Sequence, residues 1–181
     1  MIKSIYLIFL NFLIFIIDRK NKKKIKNFFF SKLKNKSITL IDVGAHKGET
    51  IKMFKKYFNI KKIYGFEPNP EIFKILIKSV CKNNVKLFNI ALGIKKEKKL
   101  LNTFFETSSS SINKIDKNTL YYKRKMKIFA PVYKDIKFKK VKINTNTLSN
   151  VLSSENIHKI DILKIDTEGY EYNVLKGINK F

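Results

Sequence analysis

Ile38-Thr39-Leu40-Ile41-Asp42-Val43-Gly44-Ala45-His46-Lys47-Gly48-Glu49-Thr50 is an apolar run that ends on an acid and then bends through two glycines. A helical pattern follows it, with Ile51, Phe54 and Phe58 on one face. A buried strand that stops at such a loop sets backbone N–H groups and a helix N-terminus around a small cavity. Glycine suits the loop because a Cβ blocks close approach and because glycine alone takes positive φ freely in a turn. A second apolar run, Ile63–Phe66, leads to Glu67. That spacing places a carboxylate at the end of the next parallel strand, where it can accept hydrogen bonds from ribose hydroxyls. Together these features predict a site for an adenosine-containing cofactor.

Working outward, the order from Ser37 is strand, helix, strand, helix, which is the pattern of an α/β fold with a parallel sheet. Strands are expected at Ile38–Val43, Ile63–Glu67, Val85–Ile90 and Ile160–Ile165. Helices are expected from about Gly48 to Phe58, from Pro70 to about Cys81, and from near Tyr170 to a cap at Gly177. Between them Leu100–Phe105 reads as a strand, Glu106–Ser111 as a serine loop, Val141–Asn144 as extended and Thr147–Leu152 as a short helix. Tyr121–Lys140 is basic and aromatic without clear periodicity.

The chain has 181 residues and a formal charge of +25, and 37 of its 39 basic residues are lysines. Guanidinium groups are the usual readers of phosphates and base edges, so a charge made of lysine argues against nucleic acid as the principal partner. It still draws the protein toward anionic surfaces. Only 14 residues are acidic, and Asp42, Glu67, Asp166 and Glu168 all stand where apolar runs end. A single cysteine, Cys81, excludes an internal disulfide and fits a reducing compartment. Its place among Ile72, Phe73, Leu76 and Val80 reads as a buried thiol. No metal site is expected, since two acids and distant histidines do not make one and His158 has no spaced partners.

Residues 1–36 form a separate hydrophobic and basic segment. Ile5–Ile17 is apolar apart from Asn11 and is followed by Arg19, Lys20, Lys22, Lys23, Lys24 and Lys26. Charge after the apolar stretch, without a small-residue cleavage site, disfavours a signal peptide. Two readings stay open: a membrane anchor holding the domain on the cytoplasmic side, or a helix lying on an anionic membrane or packed on the domain. The expected location is the cytoplasm, with attachment to the inner face of the membrane through this segment.

Four motifs in order resemble the FkbM family of S-adenosylmethionine-dependent methyltransferases. They are Ile41-Asp42-Val43-Gly44-Ala45-His46-Lys47-Gly48, Phe66-Glu67-Pro68-Asn69-Pro70, Asn89-Ile90-Ala91-Leu92-Gly93, and Leu163-Lys164-Ile165-Asp166-Thr167-Glu168-Gly169-Tyr170-Glu171. The resemblance implies a Rossmann-like, doubly wound, mostly parallel sheet over residues 37–181. It also implies methyl transfer to a hydroxyl oxygen of a sugar, glycan or secondary metabolite. By position it puts Asp42, Gly44 and Gly48 around the cofactor's amino-acid portion, with Ala45 and His46 also among the cofactor-binding residues, Glu67 on the ribose, and Asn89 with Ala91 beside the adenine. His46 occupies a position where this family often has Asn. Asp166 and Glu168 match the acidic motif facing the methyl-transfer site, and either can serve as general base. The sequence stops four residues after Gly177, whereas the resemblance implies further strands, so the domain is expected to be partial on that side. A catalytically inactive, basic membrane-surface or nucleic-acid-binding protein on a truncated methyltransferase fold is the alternative. A nicotinamide-dependent dehydrogenase fits poorly, because Gly44-x-x-x-Gly48 is not the G-x-G-x-x-G fingerprint.

Overall fold

The structure is a computed structural model that describes residues 19–80, 83–103, 110–113, 116–129 and 139–178. Two compact units are distinguished. One comprises residues 1–34 and 115–137, the other residues 35–114 and 138–181.

The larger unit is built on four parallel strands in the order β3-β2-β1-β7, where β1 is Ile38–Val43, β2 Ile60–Phe66, β3 Val85–Phe88 and β7 Ile162–Ile165. All six residues of β1 are buried, as a strand paired on both sides and covered on both faces requires. Side chains alternate between the faces. Ile41, Val43 and Phe66 pack with Leu148, Val151 and Leu152 of α5 (Leu148–Ser154) and with Val174 of α6 (Glu171–Lys176). On the opposite face Gly65 lies against Ile51 of α2 (Glu49–Tyr57), and Gly48 lies against Leu76 and Val80 of α3 (Pro70–Val80). The sheet is therefore parallel and covered by helices on both sides, as the motif order predicts.

Element ends follow local chemistry. Helix α2 begins after Gly48, whose φ of 85° only glycine adopts without strain, and ends with the Phe58 amide donating to the Phe54 carbonyl. Thr147 caps α5 by accepting from the Asn150 amide at 3.0 Å.

Three strands of the parallel sheet differ from the sequence reading. Strand β2 starts at Ile60 rather than Ile63, because Ile60 pairs with Ile38 and the Asn59 carbonyl accepts from the Ile38 amide at 2.9 Å. Strand β7 starts at Ile162 rather than Ile160. The run expected as one strand over Val85–Ile90 ends at Phe88. Asn89 there donates to the carbonyls of Glu67 and Pro68 at 2.8 and 3.2 Å, and the chain leaves the sheet. It re-enters as β4 (Ala91–Leu92) in a second sheet of order β4-β6-β5, with β5 at Glu97–Thr103 and β6 at Lys139–Asn146. Strand β4 runs parallel to β6, and β5 runs antiparallel to it. This mixed sheet is an addition to the parallel one read from the sequence. Its small core is Ala91, Leu101 and Ile143, with Ile112 and Val141 packed against them.

In the smaller unit, residues 19–33 are helical (α1), as is Leu120–Phe129 (α4) within the stretch that had no clear periodicity. The apolar run Ile5–Ile17 lies outside the described residues, as do Cys81 and residues 104–109 of the serine loop and the strand before it. Among the described residues no helix is long and apolar enough to cross a membrane.

Candidate active site

Three parallel strands deliver their carboxyl-terminal ends to one place. The amides of Gly44 and Ala45 both donate to the Phe66 carbonyl, at 3.0 and 2.9 Å, so the loop after β1 folds over the tip of β2. The Asp166 amide donates to the Val43 carbonyl at 3.0 Å, which brings the acidic turn after β7 to the other side of the same loop. Gly44 is required there twice over. Its φ is 79°, and a Cβ would be driven into the Asp166 carbonyl oxygen. Gly48 likewise has φ 85°, and its missing side chain makes room for Val80 and Leu76 of α3. Both glycines thus serve turn and packing.

Glu67 is the centre of the loop network. Its Oε2 accepts from the His46 amide at 3.0 Å and its Oε1 from the Asn69 amide at 2.9 Å. The residue is buried, and burial pushes its carboxyl pKa upward, with the two amides pulling in the opposite direction. Each carboxylate oxygen carries further lone-pair capacity beyond one amide, so the group can still accept from a pair of hydroxyls. Asn89 fixes the backbone of Glu67 from behind.

Asp42 is fully buried at the end of β1, level with Lys164 of β7 in the strand register. Lys164 Nζ lies 3.1 Å from Asp42 Oδ1, donates to the Gly44 carbonyl at 2.8 Å, and stands 3.6 Å from Asp166 Oδ2. The approach to Asp42 is a close ion pair through Oδ1, and Asp42 Oδ2 has no hydrogen-bond partner among the described residues. Burial raises the Asp42 pKa to about 6, against the lowering influence of the Lys164 ammonium. A buried carboxylate with only one of its oxygens partnered is a costly arrangement in the free protein.

The acidic turn is held from two sides. Glu171 Oε1 accepts from the Thr167 amide at 2.8 Å, the Thr167 hydroxyl at 3.1 Å and the Gly169 amide at 3.2 Å. From the second sheet's side, the Ser111 hydroxyl donates to the Glu168 carbonyl at 2.8 Å and Asn113 Nδ2 to the Gly169 carbonyl at 2.6 Å. Glu168 itself has φ 54°, a left-handed conformation that the clamped turn enforces. The Asp166 side chain is 67% exposed at the rim.

The residues singled out from sequence divide accordingly. Asp42, Gly44, Ala45, His46, Glu67 and Asp166 meet at the strand tips, and Asn89 joins them through the Glu67 backbone. Ala91 points its side chain into the core of the second sheet. His46 Nδ1 is 3.3 Å from Glu49 Oε1, and its amide rather than its ring reaches Glu67. Lys164 was missed by sequence reasoning. One lysine among 37 carries no signal by itself, and only its register opposite Asp42 reveals it. Glu171 was quoted as part of a motif without a role; an acid in the first turn of a helix is the sign that points to its clamp. Among the described residues no group of three or more His, Cys, Asp or Glu is placed to hold a metal ion.

The FkbM methyltransferase domain matches residues 42–181, so this chain belongs to the FkbM methyltransferase family. A curated relative, the methyltransferase sdnD of Sordaria araneosa, is 28% identical over an alignment of 158 residues that covers 78% of this chain. The chain spans 60% of that relative's length. A crystal structure of the methyltransferase FkbM from Methylobacillus flagellatus KT aligns with 78% of this chain and 29% of its own, at 14% identity and a TM-score of 0.46.

Proposed function

We propose that this chain binds S-adenosylmethionine and transfers its methyl group to a hydroxyl oxygen of a small-molecule or glycan acceptor. The observation that carries the reading is how the loop spends its polar groups. The amides of Gly44, Ala45, His46 and Gly48 are all satisfied within the protein. Such a loop has little to offer the phosphates of a dinucleotide, which need free N–H groups. What the strand tips present instead is acidic: Glu67 with spare lone pairs, and beneath it the buried Asp42 carboxylate paired with Lys164. A ligand suited to it carries positive charge and a vicinal diol, and S-adenosylmethionine has both.

In this reading Asp42 faces the cationic amino-acid end of the cofactor, bounded by the loop Gly44, Ala45, His46 and Gly48. Glu67 accepts from the ribose hydroxyls, and Asn89, with the Ala91 backbone, borders the base. The bound cofactor supplies an activated methyl group on a sulfonium, so the protein's task is chiefly alignment and proton removal. Asp166 is the better placed of the two acids to act as the base, since Lys164 ties it to the same cluster as Asp42. It accepts the acceptor's hydroxyl proton as the oxygen becomes nucleophilic. Glu168 stands by the acceptor on a turn that Ser111 and Asn113 hold in place.

Isothermal titration with S-adenosylmethionine tests the reading. The wild-type chain is expected to bind, and Glu67→Ala to lose at least about tenfold in affinity, since a hydrogen bond to a charged group contributes roughly 1.5–3 kcal/mol. Heat from the wild type that Glu67→Ala leaves unchanged would sink it. For the acceptor step, Asp166→Asn is expected to lower kcat by about 10²–10⁴ while leaving cofactor affinity within a few fold. Equal losses in both quantities would reassign Asp166 to cofactor binding.

A further inference from the structure

We propose that helix α1 seats this protein on an anionic phospholipid surface through a face formed by Lys24, Ile25, Phe28 and Lys32. This goes beyond the methyltransferase reading and does not depend on it.

Residues 19–33 contain seven Lys or Arg residues and no acid. Within that helix Phe28 is 62% exposed and Ile25 is 42% exposed. Lys24 and Lys32 lie one turn before and one turn after Phe28, at i−4 and i+4, so they flank it on the same face. Ile25 lies three residues before Phe28 and extends the apolar patch. Phe29 and Leu33, by contrast, are half-buried, so the helix turns a different apolar edge inward. An exposed phenylalanine bracketed by lysines is the arrangement an interfacial helix uses. The ring enters the headgroup boundary, and the lysine stems lie along it with their ammonium groups on lipid phosphates.

Helix α4 belongs to the same compact unit and repeats the pattern. Leu120 and Ile128 are 71% and 43% exposed, spaced i and i+8 with exposed Arg124 between them, and Lys123 and Lys127 lie alongside. Two helices of one unit thus present apolar side chains among cations, with no acid among residues 117–129. In the sequence the apolar run Ile5–Ile17 lies just before α1, with Asp18 between them. Lipid fits this combination better than nucleic acid does, because the protruding groups are aliphatic as well as aromatic and arginine is nearly absent from the chain.

The test is sedimentation of the full chain with phosphatidylcholine vesicles, with and without phosphatidylglycerol, compared with a single-stranded oligonucleotide in solution. Binding is expected only when phosphatidylglycerol is present. Phe28→Ser should weaken it about fivefold or more, and Lys24→Gln and Lys32→Gln by about fivefold each. All three side chains are exposed, so the melting curve and cofactor titration of these variants should match the wild type. Equal binding to both vesicle types, or retention of wild-type binding by all three variants, overturns the proposal. So does an oligonucleotide affinity exceeding that for phosphatidylglycerol vesicles.

Discussion

Asp42→Asn is expected to make the free protein more stable at neutral pH and to weaken cofactor binding. The Asp42 carboxyl is buried, and its pKa is raised from 3.8 to about 6. A carboxyl whose folded value lies above its unfolded value makes the ionised native state costly. The cost is absent below pH 3.8, grows as pH rises through the window to about 6, and is constant above it. A shift of this size corresponds to about 3 kcal/mol at neutral pH. Urea midpoints should therefore show Asp42→Asn gaining up to that amount at pH 7 and little at pH 4, and the wild type losing stability from this group between those values. Lys164 keeps the Gly44 carbonyl and Asp166 as partners in the variant, so its own charge is not stranded. Under the proposed function, affinity for S-adenosylmethionine should fall by on the order of tenfold to a hundredfold, the worth of a charged contact. Wild-type affinity should likewise decline as pH drops below about 6 and Asp42 takes up a proton. A variant that is less stable at pH 7 and binds as well as the wild type would contradict both halves.

Gly44→Ala should be the most damaging single methyl group in the site. An alanine at φ 79° carries backbone strain of about 1–3 kcal/mol, and overpacking adds about 1–3 kcal/mol more. The new Cβ meets a backbone carbonyl, that of Asp166, which cannot rotate aside. The sum is a large share of the roughly 5–15 kcal/mol that holds a domain folded. Gly169→Ala separates the two contributions. Its φ is 93°, but the nearest atom to a Cβ there is Asn113 Nδ2 at 3.4 Å, an ordinary contact. Denaturant midpoints should show Gly169→Ala losing only the strain, and Gly44→Ala losing clearly more. Equal losses would mean that the Asp166 turn yields to the new methyl group.

The core of the fold was legible because burial writes itself into sequence. Ile38–Val43 is a strand buried on both faces, and its limits came out as read. Ile51, Phe54 and Phe58 gave α2 its inward face, and all three are buried. The second sheet was harder to see. Along β5 and β6 lysines occupy outward and edge positions, so Glu97–Lys99 and Lys139–Lys140 look like loop although they are paired strand. The sequence reading, Leu100–Phe105 and Val141–Asn144, took in the end of β5 and the middle of β6. The departure of the chain after Phe88 hangs on Asn89, whose side chain binds a neighbouring strand's carbonyls rather than continuing the ladder. At the candidate site, the acids at strand ends were visible one by one, but their coupling was not. Asp42, Lys164 and Asp166 meet only through the register between β1 and β7, strands separated by more than a hundred residues of chain.

Glu67 has a consequence for selectivity. Its two oxygens are anchored by amides from the loops on either side of it, so the side chain has no freedom to swing toward bulk solvent. An acceptor fixed in that way cannot accommodate a sugar that lacks a hydroxyl by reorienting, and the mismatch is felt in full. Under the proposed function, that anchoring should make deoxy analogues poor competitors of S-adenosylmethionine.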